Sequence, residues 1–217
     1  RGGGGEGQGE KKTKSQEEKN ERGRQKKTTS TNTTHPTTTT TPPQHHTPHT
    51  QSPQQPTVFT PDADSSRQLR DAFGKFATGV TVVTAPSADG PIAIVANSFS
   101  SVSLDPALVL WSVDRNARRF PYFDAADHYA IHVLAAEQGD LCKQAARNAQ
   151  VLSEHPHSLN ADGVPLIDHC LARFECRRVA AHDAGDHVII VGQVQRTEMR
   201  DGQPLTFFGG DFGSVTS

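Results

Sequence analysis

Val80-Thr81-Val82-Val83-Thr84-Ala85, then Pro86-Ser87-Ala88-Asp89-Gly90, then Pro91-Ile92-Ala93-Ile94-Val95-Ala96-Asn97 is the stretch that decides the fold. Two runs rich in β-branched residues flank a cluster of turn residues, a pattern that predicts two strands joined as a hairpin. Further strands follow at Leu108–Val113 after the Asp105-Pro106 break, at His128–Leu134, Ala172–Ala180, His187–Thr197 and Pro204–Phe208, with Asp201-Gly202 as the last tight turn. Helical patterns are few. Asp64, Ser65 or Ser66 can cap a short amphipathic helix carrying Leu69, Phe73 and Phe76, with Gly79 as its stop. Arg118–Ala126 reads as a short helical stretch, Ala135–Arg147 as a helix, and Asn148–Pro165 as irregular. With so few helices between strands a parallel sheet is disfavoured, and the expected class is mainly β, an antiparallel closed barrel.

Upstream of this domain the composition changes. Residues 1–57 contain no Ala, Val, Ile, Leu, Met, Phe, Trp, Tyr or Cys, so they have no apolar surface with which to offset the entropy of ordering the chain. A boundary at residue 64 is therefore expected between a disordered low-complexity tail, 1–64, and one domain over 65–217. The net charge of −2 conceals nine Lys/Arg against five Glu in Arg1–Lys27, which leaves −6 for the remainder. An acidic folded part is not expected to bind nucleic acid. Three cysteines, Cys142, Cys170 and Cys176, form no CxxC pair, which points to a reducing compartment, the cytoplasm. Apolar runs reach only five residues, and the N-terminus carries no apolar signal region, so no membrane association is expected.

Many chemistries lack their signatures here. There is no GxSxG elbow, no GKS or GKT phosphate loop and no HExxH. Gly209-Gly210-Asp211-Phe212-Gly213 follows a strand with no helix after it, so it reads as a bend rather than a dinucleotide loop. His155 and His157 lack a third ligand, and His35, His45, His46 and His49 lie in the tail, so no metal is expected. The informative segment is Ala96-Asn97-Ser98-Phe99-Ser100-Ser101-Val102-Ser103-Leu104-Asp105-Pro106, in which a strand delivers amide and hydroxyl groups into a loop. Such groups suit the polar edge of a planar heterocycle as well as they suit ordinary turn formation.

Taken with Leu69-Arg70-Asp71-Ala72-Phe73-Gly74-Lys75-Phe76-Ala77-Thr78-Gly79-Val80-Thr81-Val82-Val83-Thr84, with Leu108-Val109-Leu110-Trp111, Phe120-Pro121 and His128–Ala135, and with Gly185-Asp186-His187 leading into Ile190-Val191-Gly192, this segment resembles the flavin reductase-like family. These are the reductase components of two-component flavin-dependent monooxygenases, and the likeness runs in order over about 150 residues. It implies an FMN-binding split β-barrel, a homodimer, and reduction of FMN or FAD by NADH or NADPH for a partner monooxygenase. It also implies that Asn97 and Ser98 meet the flavin ring, that Ser101 and Ser103 lie near the ring edge or ribityl chain, and that His187 approaches the ring and nicotinamide.

Two departures from the family pattern stand out. Where many relatives have phosphate-binding serines, this chain reads Arg115-Asn116-Ala117-Arg118-Arg119-Phe120, so Arg118 or Arg119 is expected to hold flavin phosphate by charge. Phe207-Phe208-Gly209-Gly210-Asp211-Phe212 resembles an aromatic closing segment, with Phe212 against the cofactor, but lacks the arginines common there. A flavin-binding barrel without turnover is the alternative reading.

Overall fold

A computed structural model describes residues 55–215. The reading of residues 1–54 as a tail, its histidines included, lies outside the described residues. The elements in chain order are α1 (Ser66–Phe73), β1 (Thr78–Gly79), β2 (Thr81–Ala85), β3 (Ile92–Ala96), β4 (Ser100–Leu104), β5 (Ala107–Asp114), α2 (Phe120–Ala125) and β6 (His128–Val133). After them come α3 (Gly139–Arg147), β7 (Ser158–Leu159), β8 (Pro165–Leu166), β9 (Ala172–Ala184), β10 (His187–Met199), β11 (Leu205–Phe208) and β12 (Asp211–Ser214).

Seven strands form one antiparallel sheet in the order β3-β2-β6-β9-β10-β5-β4. The two outermost strands, β3 and β4, are consecutive in sequence and joined only by Asn97-Ser98-Phe99. In a flat sheet they would stand six strand spacings, roughly 29 Å, apart. The linker from Ala96 to Ser100 spans at most about 14 Å. The sheet must therefore curl until its edges nearly meet, which makes a barrel with one split, and the linker lies at that split.

Burial follows from the curl. All five residues of β2 are buried, because the strand has a core on each face. Val83 and Ala85 point to the barrel interior with Trp111, Val113, Phe123, Tyr129, Ile131 and Ile190. Val82 points outward, packing with Leu134, Leu141, Cys142 and Leu152 beneath α3. The antiparallel barrel and the β2–β3 hairpin agree with the sequence reading, the hairpin pairing Thr81 with Ala96 and Ala85 with Ile92.

Four details differ from expectation. The first helix stops at Gly74, and Gly79 belongs to β1, which pairs with β11. No residue of that helix is fully buried: Leu69 is half-buried and Phe73 exposed. Ser100–Leu104 is a strand rather than a loop; it is the sheet's edge and mostly exposed, so its serines face solvent like those of a loop. Gly209-Gly210 is a hairpin turn, not a terminal bend, since both glycines have positive φ (62° and 99°) and β11 pairs with β12 across them.

Candidate functional site

Ser98 locks the split. Its hydroxyl accepts the Ser112 N–H at 2.9 Å and donates to the Ser112 carbonyl at 3.2 Å, so it completes a rung that a strand would otherwise supply. Phe99, next along, turns inward and stacks on Phe174 with ring centroids 5.5 Å apart. These two anchors fix Asn97 between them and the end of β3.

Asn97 lines a cavity of about 770 Å³, within the range of small-molecule sites. Its walls come from α1 and the turn after it (Phe73, Phe76), from Thr78 of β1, from Ser98, and from Phe207, Gly209 and Gly210 of the β11–β12 hairpin. Two polar atoms of this wall, Asn97 Oδ1 and Thr78 Oγ1, are buried with no hydrogen-bond partner. Leaving such an atom unpaired costs about 1–3 kcal/mol, which a ligand with a matching donor recovers. Aromatic surface with two unsatisfied oxygens suits an isoalloxazine, whose pyrimidine edge carries one N–H donor beside its acceptors and whose remaining body is apolar.

His187 stands at the rim rather than in the lining. It pairs with Asp114, two residues along β5 from the Ser112 that holds Ser98, which sets it roughly 8 Å from Ser112 across the sheet. Its Nδ1 lies 2.7 Å from Asp186 Oδ1. A carboxylate can only accept, so Nδ1 carries the proton and Nε2 is left for another partner. The hydrogen bond from His187 holds the Asp186 carboxyl below its ordinary pKa, and the charge of Arg70 adds to the effect. Arg70 itself lines the cavity, so α1 and the Gly185-Asp186-His187 turn share one neighbourhood.

The remaining residues singled out in the sequence are distributed otherwise. Ser101 and Ser103 sit on the edge strand β4, facing Val109 and Leu108 around a bulge, and do not line the cavity. Arg119 is committed to structure: its guanidinium donates to the carbonyls of Ala145 (2.7 Å) and Ala146 (3.2 Å) in the last turn of α3, which have no partners within that helix. Arg118 is exposed over a separate groove of about 380 Å³ with Ile94 and Val95. Phe212 meets the cavity through Phe207, its ring set edge-on at 5.4 Å, so it positions the wall residue instead of forming the wall.

Thr78, Phe207, Arg70 and Lys75 also line the cavity and carried no assignment in the sequence. Arg70, Lys75 and Thr78 fall within the Leu69–Thr84 run that marks the resemblance, yet only the pairing of β1 with β11 sets Thr78 opposite Phe207. Among the described residues no group of three or more His, Cys, Asp or Glu side chains is arranged to hold a metal ion.

Comparison with known proteins bears on this cavity. The family model for the flavin reductase like domain matches residues 73–216. The chain is 55% identical over 156 residues to the FMN reductase (NADH) SmoA of Agrobacterium fabrum, covering 72% of this chain and 90% of that protein. It is 46% identical over 135 residues to the reductase component of the flavin-dependent trigonelline monooxygenase of Acinetobacter baylyi, covering 59% of this chain but only 42% of that longer protein. Among solved structures, the NADH:FAD oxidoreductase SgcE6 of Streptomyces globisporus, in complex with NAD and FAD fragments, superposes with a TM-score of 0.68 at 33% identity, covering 73% of this chain and 98% of that one.

Proposed function

The chain belongs to the flavin reductase-like family, and from that premise we propose that the cavity at the barrel's split receives a flavin ring and the nicotinamide that reduces it. The activity is that of an NAD(P)H-dependent flavin reductase, acting on FMN or FAD. When both nucleotides are bound, hydride passes from nicotinamide C4 to flavin N5, chemistry that the two rings supply between them. The observation that carries the assignment of the site is the pair of orphaned oxygens on Asn97 and Thr78 in a wall that also presents the rings of Phe73, Phe76 and Phe207.

The protein's part is to bind, align and exclude water. Asn97 accepts from the ring's pyrimidine edge, and Ser98, fixed by Ser112, keeps the split at its width. Phe73, Phe76 and Phe207 offer flat surface to the ring. His187, oriented by Asp186, presents Nε2 toward the nicotinamide. Ser101 and Ser103 on the neighbouring edge strand, and Arg118, are left to contact the outer parts of the flavin.

Asn97→Ala is expected to weaken FMN binding about tenfold, the worth of one hydrogen bond, in a titration of flavin fluorescence quenching. Its folding stability should hold or rise, because an unpaired buried oxygen is removed. Unchanged affinity would take Asn97 out of the site.

A second copy of the chain is the occupant that suits the exposed apolar surface nearby. Leu104 (96% exposed) and Val102 (50%) project from the edge strand β4, and a homodimer would cover them. The reduced flavin would then leave for a partner monooxygenase, as the names of several relatives suggest. All three cysteines are free and buried, which fits a reducing compartment such as the cytoplasm. No helix among the described residues is long and apolar enough to cross a membrane. Activity is assigned to residues 65–217, so a chain lacking residues 1–57 should retain flavin-dependent NAD(P)H oxidation at the rate of the 217-residue chain.

A further inference from the structure

We propose that Arg70 and Lys75 form a phosphate-recognition pair at the rim of the cavity, holding the phosphate of a bound nucleotide while its ring occupies the slot. The inference rests on the flavin reductase reading of that cavity and adds to it the source of positive charge.

Any nucleotide entering the slot brings at least one phosphate, and the two arginines that the sequence offers for it are not at the cavity. Arg119 is spent on the carbonyls of α3, and Arg118 lies over a different groove. Arg70 and Lys75 are the cations that do line it, on either side of the Gly74 bend. That bend is held in place: the Gly74 carbonyl accepts the Gly209 N–H at 2.8 Å, which ties the end of α1 to the β11–β12 hairpin. Among the described residues neither cation is in an ion pair, whereas Arg115, Arg173, Arg178 and Arg200 each have a carboxylate. Two carboxylates compete nearby. Asp71 lines the same cavity, and Asp186 feels the charge of Arg70 but is already engaged by His187. A guanidinium and an ammonium at one rim suit a phosphate, the first by paired hydrogen bonds and the second as a point charge.

Both residues also sit at a helix C-terminus, where cations complement the helix dipole for reasons unrelated to a ligand. Binding distinguishes the two roles, since a purely structural role would not alter discrimination among nucleotides. Arg70→Gln, Lys75→Gln and the double variant are compared with the full chain in fluorescence titrations of FMN against riboflavin, in calorimetry with ADP-ribose, and in steady-state kinetics with NADH. If the pair holds flavin phosphate, the full chain prefers FMN to riboflavin and the double variant loses that preference by about tenfold or more. If it holds the dinucleotide's diphosphate, the ADP-ribose Kd and the NADH KM rise about tenfold with the FMN-to-riboflavin ratio unchanged. In either case added salt weakens binding to the unsubstituted chain more than to the variant. Nucleotide affinities and salt dependence equal to those of the unsubstituted chain overturn the proposal, even if the variants melt earlier. A full chain that neither binds FMN nor oxidises NADH overturns the flavin reductase reading and this pair's role with it.

Discussion

Acidification from pH 6.5 to pH 3 is expected to remove about 5 kcal/mol of folding stability through His132 alone. The side chain is fully buried on β6. Its Nδ1 lies 3.0 Å from the Val82 carbonyl, and its Nε2 accepts the Ile167 N–H at 3.1 Å, so both nitrogens are satisfied only by the neutral Nδ1–H tautomer. Burial, with the charge of Arg173 beyond it, depresses the imidazole from its ordinary 6.5 to about 3. The unfolded chain takes up this proton below pH 6.5 while the folded chain refuses it until about pH 3. Stability is thus complete above 6.5 and falls at up to about 1.4 kcal/mol per pH unit through the window. His132→Gln keeps one donor and one acceptor but cannot titrate. Urea melts between pH 7.5 and 4 should give the variant a lower stability at neutral pH and a distinctly flatter decline in acid. Parallel declines would show that groups other than His132 govern acid unfolding.

Gly192→Ala is expected to cost about 3 kcal/mol or more, the upper end for overpacking. A Cβ at this position would stand 2.1 Å from Tyr129 Oη, 2.8 Å from Tyr129 Cζ and 3.1 Å from Cys176 Cβ. The ring has little room to retreat: Tyr129 is 2% exposed and packs edge-on against Trp111, which Phe123 also meets edge-on. The glycine is therefore required by the close approach of the ring and not by its backbone angles. Tyr129→Phe removes the nearest atom, a hydroxyl that is buried without a partner. By itself that change should be neutral or stabilising by up to about 1 kcal/mol. Combined with Gly192→Ala it should recover part of the loss, since Cζ remains too close, and the cycle should be clearly non-additive. An alanine variant that melts within about 0.5 kcal/mol of the unsubstituted chain would contradict the packing described for the barrel interior.

The strands that build the barrel were legible where both faces are buried, as in Thr81–Ala85, because unbroken β-branched runs have few other uses. Ser100–Leu104 and Asp211–Ser214 were not, since both are short and exposed along their length, and the serines of the first and the Gly-Ser of the second equally suit a loop. β9 and β10 extend beyond the predicted Ala180 and Thr197 to Ala184 and Met199 for a related reason: each extension is mostly exposed and is held by pairing with the first residues of the other strand. Asn97 and Ser98, which line the cavity, stand out in the sequence through the family resemblance, since the amide and hydroxyl groups of their segment suit turn formation equally well. The opposite wall was not recognisable, because it joins residues 70–78 to residues 207–210 from the two ends of the domain. Arg119 was assigned to phosphate because its actual partners are backbone carbonyls 26 and 27 residues away, and a carbonyl leaves no mark in the sequence.

The most direct measurement is nicotinamide oxidation by the purified 217-residue chain, with NADH and NADPH each crossed with FMN, FAD and no flavin. Turnover that depends on added flavin, together with release of reduced flavin into solution, is the predicted result. A protein that consumes neither nicotinamide in the presence of either flavin contradicts the account, and one that binds flavin without such turnover reduces the barrel to a flavin-binding protein.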